Sequence, residues 1–423
     1  MTSTAIRATT RQGTVIGAQE NGVTAFRAIP YAAAPVGDLR FQAPQPPTHY
    51  DELDCTRKGP LAPQLPSRLQ DVMGPLADPQ SEDCLHLTVW TPGADSSKRP
   101  VLIWLHGGAW QSGGGAPDWY SGAQLAQRGD IVVVAPNYRL AALGWLHFPG
   151  ATPNAGLLDQ EAAIQWVVDN IENFGGDSDA ITVMGHSAGG SCIAALQGRQ
   201  PRFHRAILLS ASLGRGFRAP DEAEELSRLV LEAAGARSLE AARKLPYQEL
   251  LQAQRAPAVM QALQSQEIGR PLFCPVVDGI IIKDDIAVLG KTATARADVL
   301  VGYTLNEMAA FPNVQIDEAS QRAGEEVFGA PSRQWAQATI AQGKSAWAYR
   351  FDYAPTVRFG ACHCIELPFV FGNFQAFANA PMLHGMPQED ARRISDTIQT
   401  NWLSFIRDGQ VDWPAAPHLE LIV

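Results

Sequence analysis

The sequence predicts an α/β fold with one doubly wound, mostly parallel central sheet. Two observations indicate this fold. Residues 101–105 and 131–135 are continuous apolar runs, as in strands that are buried on both faces of a sheet. Runs of this kind alternate along the chain with segments of helical periodicity, which is typical of right-handed βαβ crossovers. With 46% hydrophobic residues in 423, the chain can bury a large core around such a sheet.

The predicted elements follow in order along the chain. After strands 101–105 and 131–135, apolar residues recur at helical spacing in residues 159–173, and Gly175-Gly176-Asp177 ends that helix. A helix rich in small residues is predicted at 191–197. The remaining buried strands are predicted at residues 180–184, 206–210, 298–302 and 347–351.

Two segments lack any strand pattern. Residues 213–270 and 315–343, approximately, are rich in helix-forming residues, and no linker of Pro, Gly and Ser separates either from its neighbours. We therefore expect helical insertions that cover the C-terminal edge of the sheet and wall a pocket there, within a single domain that spans residues 1–423.

Charge and hydropathy exclude several classes of protein. Lys and Arg number 33 against 43 Asp and Glu, a formal net charge of −10, and no basic run offers a nucleic-acid surface. The apolar runs are far shorter than the ~20 residues of a membrane-spanning helix. The N-terminus lacks the apolar segment of a secretory signal, so we expect a cytoplasmic monomer or small homo-oligomer without membrane contact, unless a leader has been removed.

Six cysteines are few for this length, and none forms a C-x-x-C pair or a zinc spacing. Cys362 and Cys364 flank His363, which suggests a metal site. Alternate residues of an extended segment point to opposite faces, however, so the two sulfurs would diverge. We therefore expect neither a metal nor another cofactor.

The strongest chemical motif is the G-x-S-x-G sequence Gly185-His186-Ser187-Ala188-Gly189. It lies between the predicted strand 180–184 and the predicted helix 191–197. A nucleophile elbow requires this context, with glycines where a Cβ would clash across the tight turn. The motif predicts that Ser187 is a nucleophile; the alternative is a glycine-rich turn with an ordinary serine.

A second motif, His106-Gly107-Gly108-Ala109-Trp110, follows the strand 101–105. In this position a loop of small residues supplies backbone amides to the developing oxyanion. Two such donors and the amide of Ala188 would each contribute roughly 3 kcal/mol to stabilising a tetrahedral intermediate.

With these motifs and several further blocks, the chain resembles the type-B carboxylesterases, a family that includes bacterial para-nitrobenzyl esterases and the cholinesterases. The blocks are residues 26–32 (FRAIPYA), 35–41 (PVGDLRF), 81–87 (SEDCLHL), 137–139 (NYR), 154–160 (NAGLLDQ) and 170–177 (NIENFGGD). The resemblance implies the α/β-hydrolase fold and cofactor-independent hydrolysis of carboxylic esters through an acyl-enzyme.

The family uses a catalytic triad in the chain order Ser, Glu, His. Residues 302–307 (GYTLNE) match the segment that carries the acid, and residues 360–372 (GACHCIELPFVFG) match the segment that carries the base. The resemblance thus implies that Glu307 orients the general base His363, which activates Ser187. Glu366 is an alternative acid. Alternative bases are His186, His106 and His384.

The resemblance implies further roles. The oxyanion donors are the amides of Gly108, Ala109 and Ala188, with Gly107 shaping the loop. Two buried ion pairs are expected, Arg40 with Glu82 and Arg139 with Asp159. Trp110, after the oxyanion loop, and Trp119, in the adjacent Gly/Pro-rich stretch, are candidates for the wall of the acyl pocket, although both could be packing residues.

The sequence also departs from the family. His186 stands where many members have Glu before the nucleophile, which removes a negative charge and disfavours a cationic, choline-like substrate. Cys84 has no cysteine where secreted members place its disulfide partner, and Cys55 lies off that pattern. The middle and late helical regions are shorter than in most relatives, so substrate range is the property that transfers least.

These observations predict a serine carboxylesterase that acts on small-molecule esters. The same catalytic groups would serve amide, lactone or carbamate cleavage. A non-catalytic binding module is a third possibility, since the family contains adhesion proteins that lack the serine, but the intact set of Ser187, Glu307 and His363 argues against it.

Overall fold

The protein is described from a computed structural model that covers residues 6–199, 202–265 and 269–423. Residues 1–5, on which the expected absence of a secretory signal partly depends, lie outside the described residues. No helix within the described ranges is long and apolar enough to cross a membrane.

The described residues form one sheet of twelve strands. The strands are β1 (Ile6–Thr10), β2 (Gly13–Glu20), β3 (Val23–Pro30), β4 (Glu52–Asp54), β5 (His86–Thr91), β6 (Arg99–Leu105), β7 (Val132–Pro136), β8 (Gly176–His186), β9 (Arg205–Leu209), β10 (Asp298–Thr304), β11 (Ala346–Phe351) and β12 (Leu419–Ile422). Their order is β1-β2-β3-β5-β7-β6-β8-β9-β10-β11-β12, with β4 beside β2. The pairs from β7 to β12 are parallel, whereas β1, β2, β3, β5 and β7 pair antiparallel. The mostly parallel sheet is confirmed, with an antiparallel N-terminal part that the sequence did not predict.

The helices connect the strands on both faces of the sheet. They are α1 (Gln70–Met73), α2 (Ala123–Gly129), α3 (Ala141–Trp145), α4 (Ala155–Asn170), α5 (Ala188–Gln197), α6 (Pro220–Ala233), α7 (Leu239–Lys244), α8 (Tyr247–Ala253), α9 (Pro257–Gln264), α10 (Ile286–Thr292), α11 (Glu318–Gly324), α12 (Ala330–Ala341), α13 (Leu367–Phe371) and α14 (Gln388–Asp408). The six predicted strands correspond to β6–β11. The predicted helix 159–173 is α4, which begins earlier and ends in a 3-10 turn before the left-handed Gly175.

Alternate side chains of β6 enter two different hydrophobic clusters. Val101 and Ile103 pack in the cluster that includes α4 and α5, and Leu102 and Trp104 pack in the cluster that includes α14. Both faces of the central strands are therefore buried, which explains their continuous apolar sequence. The carboxyl ends of these parallel strands lie at one edge of the sheet, where α/β proteins bind ligands.

The two helix-rich segments take different positions. Residues 213–265 contain α6–α9, and Gln254 and Met260 of this segment line a cavity that also contains Ser187. Residues 318–341 contain α11, a π-helical turn at Glu325–Gly329, and α12. Helix α12 packs on β10 and β11 as the crossover between two parallel strands, whereas Phe328 of the π-helical turn reaches the cavity.

Both predicted ion pairs are present. Arg139 donates from Nε and Nη2 to the Asp159 carboxylate at 2.8 and 2.6 Å, and both side chains are buried. Arg40 donates from Nε to Glu82 at 2.7 Å and from Nη1 to carbonyl oxygens at the end of α7. The second pair therefore attaches the N-terminal segment to the helix-rich segment that follows β9.

Candidate active site

Ser187 lies on a sharp turn between β8 and α5. Its φ of 53° and ψ of −115° lie outside the usual regions for a residue with a side chain. A Cβ on Gly189 would lie 2.1 Å from the carbonyl oxygen of Leu105, and one on Gly185 would lie 2.6 Å from the Gly189 backbone. The two glycines therefore allow the close backbone approach that holds Ser187 at the end of its strand, as the motif predicted.

The loop after β6 presents backbone amides next to Ser187. Gly108 has a φ of 117°, and a Cβ there would lie 1.9 Å from the carbonyl oxygen of Ser112. Within the described ranges the amides of Gly108 and Ala109 donate no hydrogen bond. The amide of Ala188 opens α5, so it has no acceptor inside that helix. These three amides, together with Gly107, line the same cavity as Ser187.

Glu307 and His363 form a buried pair beyond the end of β10. His363 Nδ1 lies 2.5 Å from Glu307 Oε2, and Glu307 Oε1 accepts from the Thr304 backbone amide at 2.9 Å. The carboxyl group is thus held at both oxygens, which fixes the orientation of the imidazole. Both residues are only 1% exposed. The sequence separation of the two residues gave no indication of this contact; only the resemblance did.

Burial perturbs both members of this pair. It raises the pKa of the Glu307 carboxyl, because the charged form loses its hydration. Burial, with the positive charges of Arg215 and then Arg68, lowers the pKa of His363 to about 3. The imidazole therefore stays neutral and able to accept a proton at pH values well below the ordinary range of a histidine.

A second buried carboxyl group, that of Glu366, lies beside this pair. Its Oε1 accepts from the Ser210 hydroxyl at 3.0 Å and lies 3.6 Å from His186 Nε2. The His186 ring is 4.6 Å from the His363 ring, and burial followed by the charge of His363 lowers the pKa of His186. Glu366 therefore contacts Ser210 and His186, whereas His363 Nδ1 donates its hydrogen bond to Glu307.

The other alternative bases occupy different environments. His106 is buried, stacks on Tyr138 with ring centroids 4.2 Å apart, and directs Nδ1 at the carbonyl oxygen of Gly107. This arrangement supports the oxyanion loop. His384 is exposed and lines a surface depression with Arg358. Of the four candidates, His363 has the hydrogen-bonded carboxyl partner that a general base of this kind requires.

Ser187 and His363 open into one cavity of about 300 Å³. The rings of Phe311 and Phe328 lie 5.7 and 5.1 Å from that of His363. Neither phenylalanine belongs to a recognisable motif, so the sequence gave no signal for them. The walls are mostly apolar, which suits a small organic substrate.

Both predicted pocket tryptophans line this cavity, and both are also tied to the packing around it. Trp110 is buried and donates its indole N–H to the sulfur of Cys192 at 3.1 Å. Trp119 donates to the carbonyl oxygen of Ala376 at 3.1 Å and stacks on Phe377. Their indole nitrogens are thus engaged, and each offers only ring surface to the cavity.

The Cys-His-Cys sequence is not extended as expected. It bridges to the neighbouring segment at Cys362 and then turns, with Cys364 at a φ of 78°. Ligand atoms of Cys364, His186 and His363 consequently lie within 4.8 Å of one another, a set that could hold a soft divalent ion only with a deprotonated thiol. Burial and the nearby Glu366 raise the pKa of the Cys364 thiol, which opposes that state.

The family model of the carboxylesterases matches residues 4–327 and 312–418. The chain belongs to the carboxylesterase family. It is 37% identical to the probable N-octanoylanthranilate hydrolase of Rhodococcus erythropolis, over 93% of this chain and 91% of the relative. It is 33% identical to the para-nitrobenzyl esterase of Bacillus subtilis (strain 168), over 96% of this chain and 92% of the relative.

A carboxylesterase crystal structure from Geobacillus stearothermophilus superposes with a TM-score of 0.80 at 32% identity, covering 97% of this chain and 93% of that one. The predicted α/β-hydrolase fold and the predicted family are therefore confirmed. The chain is a carboxylic ester hydrolase, and a serine mechanism with an acyl-enzyme intermediate follows from the family in general.

Proposed function

We propose that Ser187, His363 and Glu307 carry the ester hydrolysis of this esterase. The observation that supports the assignment is that the elbow serine shares its cavity with an imidazole whose other nitrogen is held 2.5 Å from a buried carboxyl group. In this proposal His363 Nε2 takes the Ser187 proton as Oγ attacks the ester carbonyl. The Glu307 carboxylate stabilises the imidazolium that forms, because opposite charges attract strongly in a site with little water.

The oxyanion of the tetrahedral intermediate would bind the amides of Gly108, Ala109 and Ala188. His363 then returns the proton to the leaving alcohol, and the acyl group remains on Ser187 as an ester. Water attacks this acyl-enzyme with His363 again as the base, which releases the acid and restores the serine. Every proton is exchanged among Ser187, His363, the substrate and water, so the proposal requires no cofactor.

We assign the cavity walls to substrate binding within a single catalytic domain of residues 1–423. Trp110 and Trp119 would contact substrate through their ring faces only, because their N–H groups are hydrogen-bonded elsewhere. The insertions approximately at 213–270 and 315–343 would set chain-length preference through residues such as Met260 and Phe328.

The test is Ser187→Ala, assayed with 4-nitrophenyl butyrate and with a serine-directed phosphonate. We expect turnover to fall to background and the phosphonate mass increment to disappear, with an unchanged circular dichroism spectrum. Ser178→Ala, in β8 but outside the cavity, is the matched control and should keep both activity and labelling. Turnover or labelling retained by a pure Ser187→Ala sample would refute the assignment.

Amide hydrolysis is a second candidate activity. The Rhodococcus relative is a probable hydrolase of an N-acyl compound, and the proposed chemistry differs only in its leaving group. Octanoyl anilide and phenyl octanoate share their acyl group, so a comparison of their kcat/KM values in wild type and in Ser187→Ala measures this activity against the esterase activity.

We also propose that the protein works in the cytoplasm. All six cysteines are free and buried, without a disulfide, which suits a reducing compartment. Fractionation of the producing cells should recover the protein in the cytosol. Recovery from a secreted fraction would contradict this placement.

A further inference from the structure

The active-site cavity has an unusual charge pattern. Its lining includes four arginines and, among the described residues, neither Asp nor Glu. The arginines are Arg68, Arg215, Arg255 and Arg270. The whole chain nevertheless carries 43 acidic and 33 basic residues, a formal charge of −10. The described lining of the cavity is therefore positive in a chain that is negative overall.

Two of these arginines lie close to the proposed general base. The Arg68 guanidinium carbon is 5.7 Å from the centre of the Phe311 ring, and that ring stacks on His363 at 5.7 Å. Arg215 lies in the turn after β9, far from Arg68 in the sequence, and lines the same cavity. After burial, the charges of Arg215 and Arg68 lower the pKa of His363.

Within the described ranges, no carboxylate forms an ion pair with Arg68 or Arg215. Among the described residues, Arg68 makes the cation–π contact with Phe311 and no hydrogen bond or salt bridge, and Arg215 donates to the carbonyl oxygen of Gly269. Arg270 differs, because Glu222 lies 3.8 Å from it. Burial and the charge of Arg68 lower the pKa of Arg215 to about 10, so the Arg215 cation is destabilised in the absence of an anion.

The planar geometry of a guanidinium group favours a planar oxyanion as its ligand. A guanidinium donates two parallel hydrogen bonds to a planar carboxylate, and the exposed Arg68 and half-buried Arg215 are both accessible from the cavity for such bonds. The remaining walls are mostly apolar, with Leu263 and Met73 among them, and would hold a hydrocarbon part. A cationic choline-like ester is disfavoured by the same charges and by His186 in place of the family's glutamate.

We propose that the preferred substrates are esters that carry a carboxylate, which binds Arg68 and Arg215 while the ester carbonyl lies at Ser187. This inference rests on the proposed function of Ser187 and adds the chemical class of the substrate. An uncharged ester would use the same catalytic groups but leave the two guanidiniums unneutralised.

Two matched pairs of esters test the inference on the purified full chain. The first pair places the charge in the acyl part: mono-4-nitrophenyl adipate against 4-nitrophenyl hexanoate. The second places it in the leaving group: 3-carboxyphenyl butyrate against phenyl butyrate. In at least one pair we expect kcat/KM to be about 10-fold or more higher for the anion at low ionic strength. That ratio should decrease as salt screens the guanidiniums.

Variants identify the groups responsible. Arg68→Gln and Arg215→Gln should each lower the anionic-to-neutral ratio of kcat/KM towards one. Arg392→Gln makes the same charge change on an exposed site of α14 outside the cavity and should leave the ratio unchanged. A wild-type ratio of one or less in both pairs, or an equal loss in Arg392→Gln, would overturn the inference while the esterase assignment stands. Failure of the wild type to hydrolyse any of the four esters would overturn the proposed function and the inference together.

Discussion

Replacement of Glu307 by Gln tests the proposed triad most directly, because the structure dictates how the new amide must sit. The Thr304 backbone N–H donates to one carboxyl oxygen at 2.9 Å, and His363 Nδ1 contacts the other at 2.5 Å. In Glu307→Gln the amide oxygen must stay opposite the Thr304 N–H, since an NH₂ group there would meet another donor. The NH₂ group then faces His363 Nδ1 and donates to it.

That hydrogen bond stabilises the tautomer of His363 that cannot act as the base. With Nδ1 as the acceptor, the imidazole proton moves to Nε2, the nitrogen that must accept the Ser187 proton. An Asp→Asn change with this effect in a protease triad lowers kcat about 10⁴-fold. We expect a similar loss here, equivalent to roughly 5.5 kcal/mol at about 1.36 kcal/mol per tenfold change.

The assay is kcat and KM for 4-nitrophenyl butyrate, with thermal unfolding to verify the fold. Glu366→Gln is the matched control, because Glu366 is an equally buried carboxyl group that contacts Ser210 and His186. We expect it to lose at most about tenfold in kcat, since one neutral hydrogen bond is involved. A Glu307→Gln variant within tenfold of wild type, or a larger loss in Glu366→Gln, would refute the assignment of Glu307 as the orienting acid.

Three further predictions concern pH, stability and the oxyanion loop. Because burial and Arg215 lower the pKa of His363, the acid limb of the pH profile of kcat/KM should lie well below pH ~6.5. Arg215→Gln should move the midpoint of this limb to higher pH. A wild-type midpoint at pH ~6.5 or above would contradict the prediction. Arg139→Met strands the Asp159 carboxylate, so urea unfolding should show a loss of about 3–5 kcal/mol, part of which the double variant with Asp159→Leu should recover. Gly108→Ala should lower kcat roughly 10²–10³-fold in a folded protein, because its Cβ overlaps the loop backbone and displaces the oxyanion amides; near-normal kcat would exclude these donors.

The charge pattern of the cavity connects two of these experiments. Arg215 is expected both to lower the pKa of His363 and to bind the substrate carboxylate. A bound carboxylate would partly neutralise that charge and raise the pKa of His363 towards its ordinary value. The acid limb of kcat for a carboxylated ester should therefore lie at higher pH than that for its neutral partner.

The sequence by itself determined the centre of the fold and predicted Ser187 as the nucleophile. Strand β7 and residues 101–105 of β6 are apolar throughout because both faces are buried, and this pattern does not depend on distant residues. The requirement for Gly185 is equally local, because the turn itself imposes its contact with Gly189, whereas Gly189 also lies against Leu105 of β6. The N-terminal antiparallel strands escaped prediction, since half-buried strands such as β2 mix polar and apolar residues without a long apolar run.

The tertiary structure alone decided the electrostatics of the site. The sequence offers two candidate acids, Glu307 and Glu366. The path of the chain after β10 places Glu307 within hydrogen-bond distance of His363 Nδ1. Arg68 and Arg215 belong to no motif and lie far apart in the chain, yet both line the cavity that contains Ser187. Charge interactions depend on distance and on exclusion of water, which long-range packing sets. The type of reaction could therefore be predicted from local patterns, whereas the kind of substrate emerged only from the folded chain.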